Sequence, residues 1–251
     1  MKIRNRKENR YPLVKEMSSI QQTGVVRHLF SSIHRRYDFL NRFFSLRQDV
    51  VWRRFTARRM CFFHTNRFLD VATGTADLAI ETARRNPHIR VTGIDFVEEM
   101  LEAGRRKITR SQLADRVRLL RGDALQLPFR NEKFDVAGIA FGIRNIPQYH
   151  QALKEMTRVV TRGGQVMVLE MHFPEKRALR RFYSLYLNRI LPSMARFFSQ
   201  NPSAYHYLAD SIIHFPSSRA FAHVMEEAGL VRIEQHRLTM GIACLHIGTK
   251  P

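Results

Sequence analysis

The residues of this chain best suited to chemistry are acidic and stand at the ends of apolar runs. Asp70-Val-Ala-Thr-Gly-Thr-Ala-Asp77 follows one such run and opens a helical pattern, and Asp95 closes the next run 21 residues after Gly74. In doubly wound sheets a ligand lies over the carboxyl ends of the strands, where an acidic residue about 20 positions past the glycine turn accepts bonds from ribose hydroxyls. Dinucleotides and S-adenosylmethionine both use this frame. A dinucleotide brings its pyrophosphate to the first helix N-terminus, where Asp70 and Asp77 oppose it, and the loop has one glycine in place of three. S-adenosylmethionine has no phosphate, and carboxylates stabilise its ammonium and sulfonium. The loop therefore favours a methyl donor, with a loop shaped for packing alone as the alternative. Asp123 begins Asp-Ala-Leu-Gln-Leu-Pro-Phe129 after a third apolar run. Its carboxylate can accept from an adenine amino group while the Ala124 N–H donates to the ring; capping of a turn is the competing role.

Strands and helices must carry these residues. Arg67–Ala72, Arg90–Asp95, Val117–Gly122, Phe134–Phe141 and Gln165–Met171 read as strands, with helices near 77–85, 97–109 and 148–161 between most of them. Near-continuous apolar strands with helical crossovers call for a parallel sheet covered on both faces, so the spacing predicts a doubly wound α/β fold. Glu98 and Glu99 open the second helix and Arg105, Arg106 and Lys107 close it, as the helix dipole favours, while Gly163-Gly164 is expected to stop the helix before the Gln165 strand. A helix around Ser218–Ala228 precedes two strand-like segments, Val231–Leu238 and Gly241–Thr249, that form a terminal hairpin.

Upstream, residues 1–24 are polar and basic and read as an arm with no assigned structure. From Val25 the pattern turns helical, and the run Val50–Met60 sets Trp52 and Phe55 among Arg53, Arg54, Arg58 and Arg59. A further amphipathic run spans Leu179–Leu191. No domain boundary is visible, so residues 25–251 read as one domain including N-terminal capping helices. The 251 residues carry 42 Lys+Arg against 22 Asp+Glu, a net charge of +20, and their 44% hydrophobic content excludes a disordered chain. Cys61 and Cys244 are too far apart for a paired motif, which argues against a zinc site or a disulfide framework and fits reducing cytosol. The basic start lacks the apolar stretch of a secretory signal, and no run approaches the roughly 18 apolar residues of a spanning helix.

Tyr37-Asp-Phe-Leu-Asn41, Ser45, Trp52, the Thr73–Asp77 loop, Asp95, Asp123-Ala124 with Leu127-Pro-Phe129, Phe141-Gly-Ile-Arg-Asn145, Gly163-Gly164 with Leu169-Glu170, and Tyr205-His-Tyr-Leu-Ala-Asp-Ser211 occur in this order. Over residues 25–250 the chain thereby resembles the ubiquinone/menaquinone biosynthesis C-methyltransferases (UbiE-type). The resemblance implies a class I methyltransferase fold with seven strands and S-adenosylmethionine as cofactor, contacted by Gly74, Thr75, Asp95, Asp123 and Ala124. It also implies methylation of a ring carbon in a polyprenyl quinol, either demethylmenaquinol or the matching ubiquinone precursor. Ala76 for a glycine, Asp49 for a histidine, Ala140 for a serine, Thr161-Arg162 for Lys-Pro and His172 for a serine depart from the family's pattern.

Carbon attack on a sulfonium methyl needs a hydroquinol hydroxyl that is deprotonated or polarised and an in-line approach in a dry pocket, without a metal. Arg144 and Asn145 are placed to stabilise the phenolate oxygen and Tyr37 to close the pocket; for Arg144 a salt bridge that ties the loop is the alternative. His172, Tyr205 and His206 are candidate general bases. Arginines beside Trp52, Phe55, Phe182 and Tyr186 predict a cytoplasmic protein held peripherally on an anionic membrane face where a lipid-soluble quinol resides. Two classes compete with this reading. RNA methylation would use the +20 charge for phosphate affinity, yet Phe141-Gly-Ile-Arg-Asn145 stands where base-amino methyltransferases carry an Asn/Asp-Pro-Pro-aromatic tetrapeptide. A degenerate fold serving as a basic scaffold is the third reading, kept open by Ala76 and Ala140.

Overall fold

The computed structural model describes residues 14–34, 36–191, 193 and 203–251. β1 (Arg67–Val71), β2 (Arg90–Asp95), β3 (Val117–Arg121), β4 (Phe134–Ala140) and β5 (Val160–Met171) run parallel. β6 (Val231–Leu238) and β7 (Ala243–Thr249) form an antiparallel hairpin, and β7 also pairs antiparallel with β5, giving the order β3-β2-β1-β4-β5-β7-β6. The doubly wound class and the terminal hairpin are as the apolar runs predict. Strand order reverses between β1 and β4, and a crevice opens at such a reversal because the crossovers depart in opposite directions.

Side-chain alternation along the strands divides the interior. Phe68, Val136, Met167 and Leu169 join one core, and Leu69, Ala137, Val166 and Val168 join the other. The first is covered by α3 (Gln48–Arg58), α4 (Asp77–Arg85) and α5 (Glu98–Arg110), and the second by α6 (Tyr149–Val159) and α9 (Ser218–Glu227). A third core belongs to a helical cap: α1 (Ser19–Ile33), α2 (Tyr37–Phe44), α7 (Arg177–Leu185) with its π turn Tyr186–Ile190, and α8 (Ser203–His214).

Three local expectations are corrected. The arm reading fails over residues 14–24, because Ser18 and Gln21 form a reciprocal capping box that starts α1 at Ser19; residues 1–13 lie outside the described residues. α2 was not expected at all, since eight residues are too few to establish a period. Gly163-Gly164 does not stop a helix: α6 ends at Val159, and the pair sits inside β5 opposite a register shift in β4. Gly163 has φ +75°, and a Cβ on Gly164 would lie 2.5 Å from the Asp135 carbonyl oxygen, so only glycine fits there.

Candidate active site

A cavity of about 170 Å³ lies over the carboxyl ends of β1, β2 and β4. The β1–α4 loop beneath it is tightly wound, with Ala72, Gly74 and Ala76 at φ 49°, 55° and 65°. Glycine adopts this left-handed backbone freely, whereas an alanine there costs roughly 1–2 kcal/mol, which is why glycine suits the Ala76 position. Ala76 is nonetheless fully buried, and burial of its methyl offsets part of that cost.

The floor is anionic and short of cations. Asp95 Oδ2 accepts the Gly74 N–H at 2.8 Å and Oδ1 the Val97 N–H at 3.0 Å. Asp70 Oδ2 accepts the Thr73 hydroxyl at 2.6 Å and the Ala79 N–H at 3.1 Å. With backbone N–H groups and a hydroxyl as partners, burial pushes Asp70 up to about 7 and Asp95 up to about 6. A ligand bearing an ammonium and a sulfonium supplies the positive charge this floor lacks, so the residues present fit S-adenosylmethionine. Asp77 differs: burial would raise it, but Arg53 and Lys107 hold it below the usual carboxylate range.

Gly74, Thr75, Asp95, Asp123 and Ala124 all line this cavity, as do Asn145 and Tyr37. Thr75 lines the cavity with its hydroxyl already engaged. Its hydroxyl donates to Asp38 Oδ1 at 2.5 Å and accepts from Lys107 Nζ at 3.1 Å, which ties the loop to α2 and α5. Asp123 does cap a turn, accepting the Leu125 N–H at 2.9 Å, while facing the cavity.

A second cavity, of about 420 Å³, is walled mainly by apolar and aromatic side chains, among them Trp52, Met171, Tyr183, Leu187 and Ile212. Tyr37, Arg53 and Phe141 line both cavities and form their common wall. Phe141 holds φ 59° to take that place, and its ring packs 5.9 Å from Trp52. Arg53 is the one cationic side chain lining either cavity among the described residues. Its guanidinium lies 5.0 Å over the Phe141 ring and donates to Asp49 Oδ2 at 2.6 Å, and Asp49 in turn accepts the Ser45 hydroxyl at 2.8 Å. Burial lifts the Tyr37 hydroxyl above the usual phenol range, against the pull of Arg53, so it stays a neutral donor.

The sequence reading did not assign Arg53 or Asp49 to the site: it placed Arg53 on a basic surface helix and noted Asp49 only as standing for a histidine. Trp52, Arg53, Thr56 and Ala57 are buried against α4 and β5, so of the basic aromatic face expected over Val50–Met60 only Arg54, Arg58 and Arg59 are exposed, beside a half-buried Phe55. The i,i+4 spacing of Asp49 and Arg53 beside Trp52 was the available signal.

Arg144 is not brought into either cavity. Its buried guanidinium pairs with the fully buried Glu170, donates to the Phe141 carbonyl at 3.1 Å and reaches Ser211 Oγ at 3.3 Å, so the salt-bridge alternative describes its placement. Its charge still lowers the Tyr37 hydroxyl modestly. Asn145 follows it in a short 3₁₀ turn and does line the cofactor cavity. His172 is likewise absent from both cavities; it packs against Phe215 and Phe221, Nδ1 lies 3.0 Å from the Pro216 carbonyl, and burial pushes it down to about 4. His206 lies on α8 and lines neither cavity, and the Tyr205 side chain lies outside the described residues.

A family model described as the ubiE/COQ5 methyltransferase family matches residues 16–250. The chain is 42% identical over 226 residues to the ubiquinone/menaquinone biosynthesis C-methyltransferase UbiE of Geotalea daltonii, covering 90% of this chain and 96% of that one. It is 40% identical over 243 residues to the demethylmenaquinone methyltransferase of Deinococcus radiodurans, covering 97% and 98%. A solved S-adenosylmethionine-dependent methyltransferase from Thermotoga maritima shares the fold, with a TM-score of 0.61 at 18% identity over 89% of this chain and 100% of that one.

Proposed function

The chain belongs to the ubiE/COQ5 methyltransferase family, and from that premise we propose that its two cavities hold the methyl donor and a quinol ring on opposite sides of the Tyr37–Arg53–Phe141 wall. It is an S-adenosylmethionine-dependent C-methyltransferase of quinone biosynthesis, the activity for which its relatives are named. When bound, S-adenosylmethionine supplies a methyl group on a positively charged sulfur.

The chain's residues supply the rest. Asp95 accepts the ribose hydroxyls, Asp123 and Ala124 address the adenine edge, and Gly74 lets the backbone approach closely. Arg53 stabilises the negative charge gathering on the quinol oxygen; a desolvated cation already held by Asp49 and the Phe141 face needs no reorganisation as that charge develops. Tyr37, kept neutral, donates to the same oxygen. Asp49, the acidic side chain of the apolar cavity, takes the hydroxyl proton, and the proton of the methylated ring carbon returns to the quinol oxygen as aromaticity is restored, so one proton is released in all. Arg144 acts from behind the wall, anchoring the Phe141–Asn145 loop through Glu170. The apolar walls keep water from the reacting carbon.

The shared wall is the observation that carries this reading. It also disfavours RNA methylation, since the second cavity is apolar where a nucleic-acid groove would be cationic, and the acidic cofactor floor is intact, which speaks against a bare scaffold. The test is incubation of the purified protein with methyl-labelled S-adenosylmethionine and, separately, demethylmenaquinol, a ubiquinone-precursor quinol and total RNA. Label on a quinol ring carbon is expected, and label in RNA alone would overturn the proposal. We further place the protein in the cytoplasm with access to the inner membrane face, because polyprenyl quinols are confined to bilayers; among the described residues no helix is long and apolar enough to cross one.

A further inference from the structure

A polyprenyl chain must reach the apolar cavity from somewhere, and two exposed features border that cavity. The first is the turn between α2 and α3. Leu46 lines the cavity yet is 83% exposed, held at φ 51° beside the exposed Arg47 at φ 62°. A left-handed leucine is strained and gains nothing from water, so its side chain is free to pack on an apolar partner. Phe39 and Phe43, one helical turn apart on α2, stack at 5.9 Å and are also exposed.

The second feature is α7 with its π turn, which is two-sided. Tyr183 and Leu187 face inward onto the cavity, and the Tyr186 hydroxyl donates to the Phe44 carbonyl at 2.7 Å, binding this helix to the end of α2. Outward, Phe182, Leu185 and Ile190 are exposed among Arg177, Arg181 and Arg189. These arginines border a groove of about 1010 Å³ whose one acidic lining residue among those described, Glu175, is already taken by Arg237 at 3.3 Å. The groove is therefore left cationic, beside exposed apolar side chains.

We propose that these two features form one docking surface for an anionic lipid bilayer. The exposed aromatic and leucine side chains enter the boundary between headgroups and acyl chains, and the α7 arginines bind lipid phosphates. The apolar cavity then opens toward the acyl region, and a polyprenyl quinol passes into it without crossing water. Charge complementarity selects this occupant: the net charge is +20 and, among the described residues, the groove's lining leaves its arginines in excess over Glu175, which suits anionic headgroups and opposes a second copy of the same chain. The entry role rests on the quinol reading above; the docking itself does not.

Vesicle sedimentation separates the two. The full chain is mixed with vesicles of phosphatidylcholine alone or of phosphatidylcholine with phosphatidylglycerol, at low and high salt, and again with RNA as competitor. Binding to the anionic vesicles alone, released by salt, is expected. Arg177→Glu with Arg181→Glu should weaken it by about tenfold or more, and Phe39→Glu with Phe182→Glu should abolish the portion that resists salt. Both variants should keep wild-type affinity for S-adenosylmethionine by calorimetry and wild-type turnover of a short-chain, water-soluble quinol, while losing turnover of a polyprenyl quinol embedded in vesicles. Equal binding to both vesicles, binding to neither, or variants that sediment like wild type overturn the docking surface. Docking with no methylation of any quinol retains the surface and overturns the quinol reading instead.

Discussion

Asp95→Asn bears on the centre of the cofactor site, and its effect has both a size and a pH dependence. As a carboxylate, Asp95 offers charge-assisted hydrogen bonds to ribose hydroxyls worth about 1.5–3 kcal/mol, so the amide should raise the dissociation constant of S-adenosylmethionine by roughly ten- to a hundredfold. The sign of the pH dependence follows from burial, which lifts the free protein's Asp95 up to about 6. The cofactor prefers the ionised form, so affinity is full above that value and falls by about tenfold per pH unit below it, as a proton must be released on binding. Asparagine has no such proton to release. Asp70, raised to about 7, titrates in both proteins, so the informative quantity is the ratio of the two affinities. That ratio should be about ten to a hundred at pH 8 and shrink by about tenfold at pH 5. Isothermal titration calorimetry at both pH values reads it directly, with thermal melts to show that the variant is folded. A ratio of one at pH 8, or a large ratio that does not change with pH, refutes the role given to this carboxylate.

Removing both members of the buried wall pair, Arg53→Gln with Asp49→Asn, leaves Lys107 as the counter-charge of Asp77 and should lower turnover by roughly a hundred- to a thousandfold, far more than it weakens cofactor binding by calorimetry; wild-type turnover would take Arg53 out of the chemistry. Arg144→Ala strands the fully buried Glu170 and should cost about 3–5 kcal/mol of stability in denaturant unfolding, most of it regained when Glu170→Gln is added to Arg144→Met. Undiminished stability with lost turnover would return Arg144 to direct contact with the quinol.

Much of this protein is determined locally. Asp95 and Asp123 mark strand ends because apolar runs stop at the acids that face the crevice, and β2 and β6 begin and end where period and composition place them. A parallel sheet buried on both faces imposes a run of apolar residues that needs no knowledge of partners, and charge at the β1–α4 loop selects the cofactor class by Coulomb's law alone. What the tertiary structure decides is which polar residue meets which. Arg53 looks like its exposed neighbour Arg54, whose side chain lies open beside Glu81 at 3.6 Å, until α4 and β5 cover one side of α3. Arg144 looks like a free cation until Glu170, distant in sequence, rises beneath it from β5. His172 looks titratable until aromatic rings from α9 and the segment before it enclose it. The wall of Tyr37, Arg53 and Phe141 draws on α2, α3 and the loop after β4, elements with no shared period or motif. Hydrophobic periodicity records which side of an element is buried, not what is packed there. The ionisation and reach of a buried polar group depend on neighbours that only the folded chain supplies.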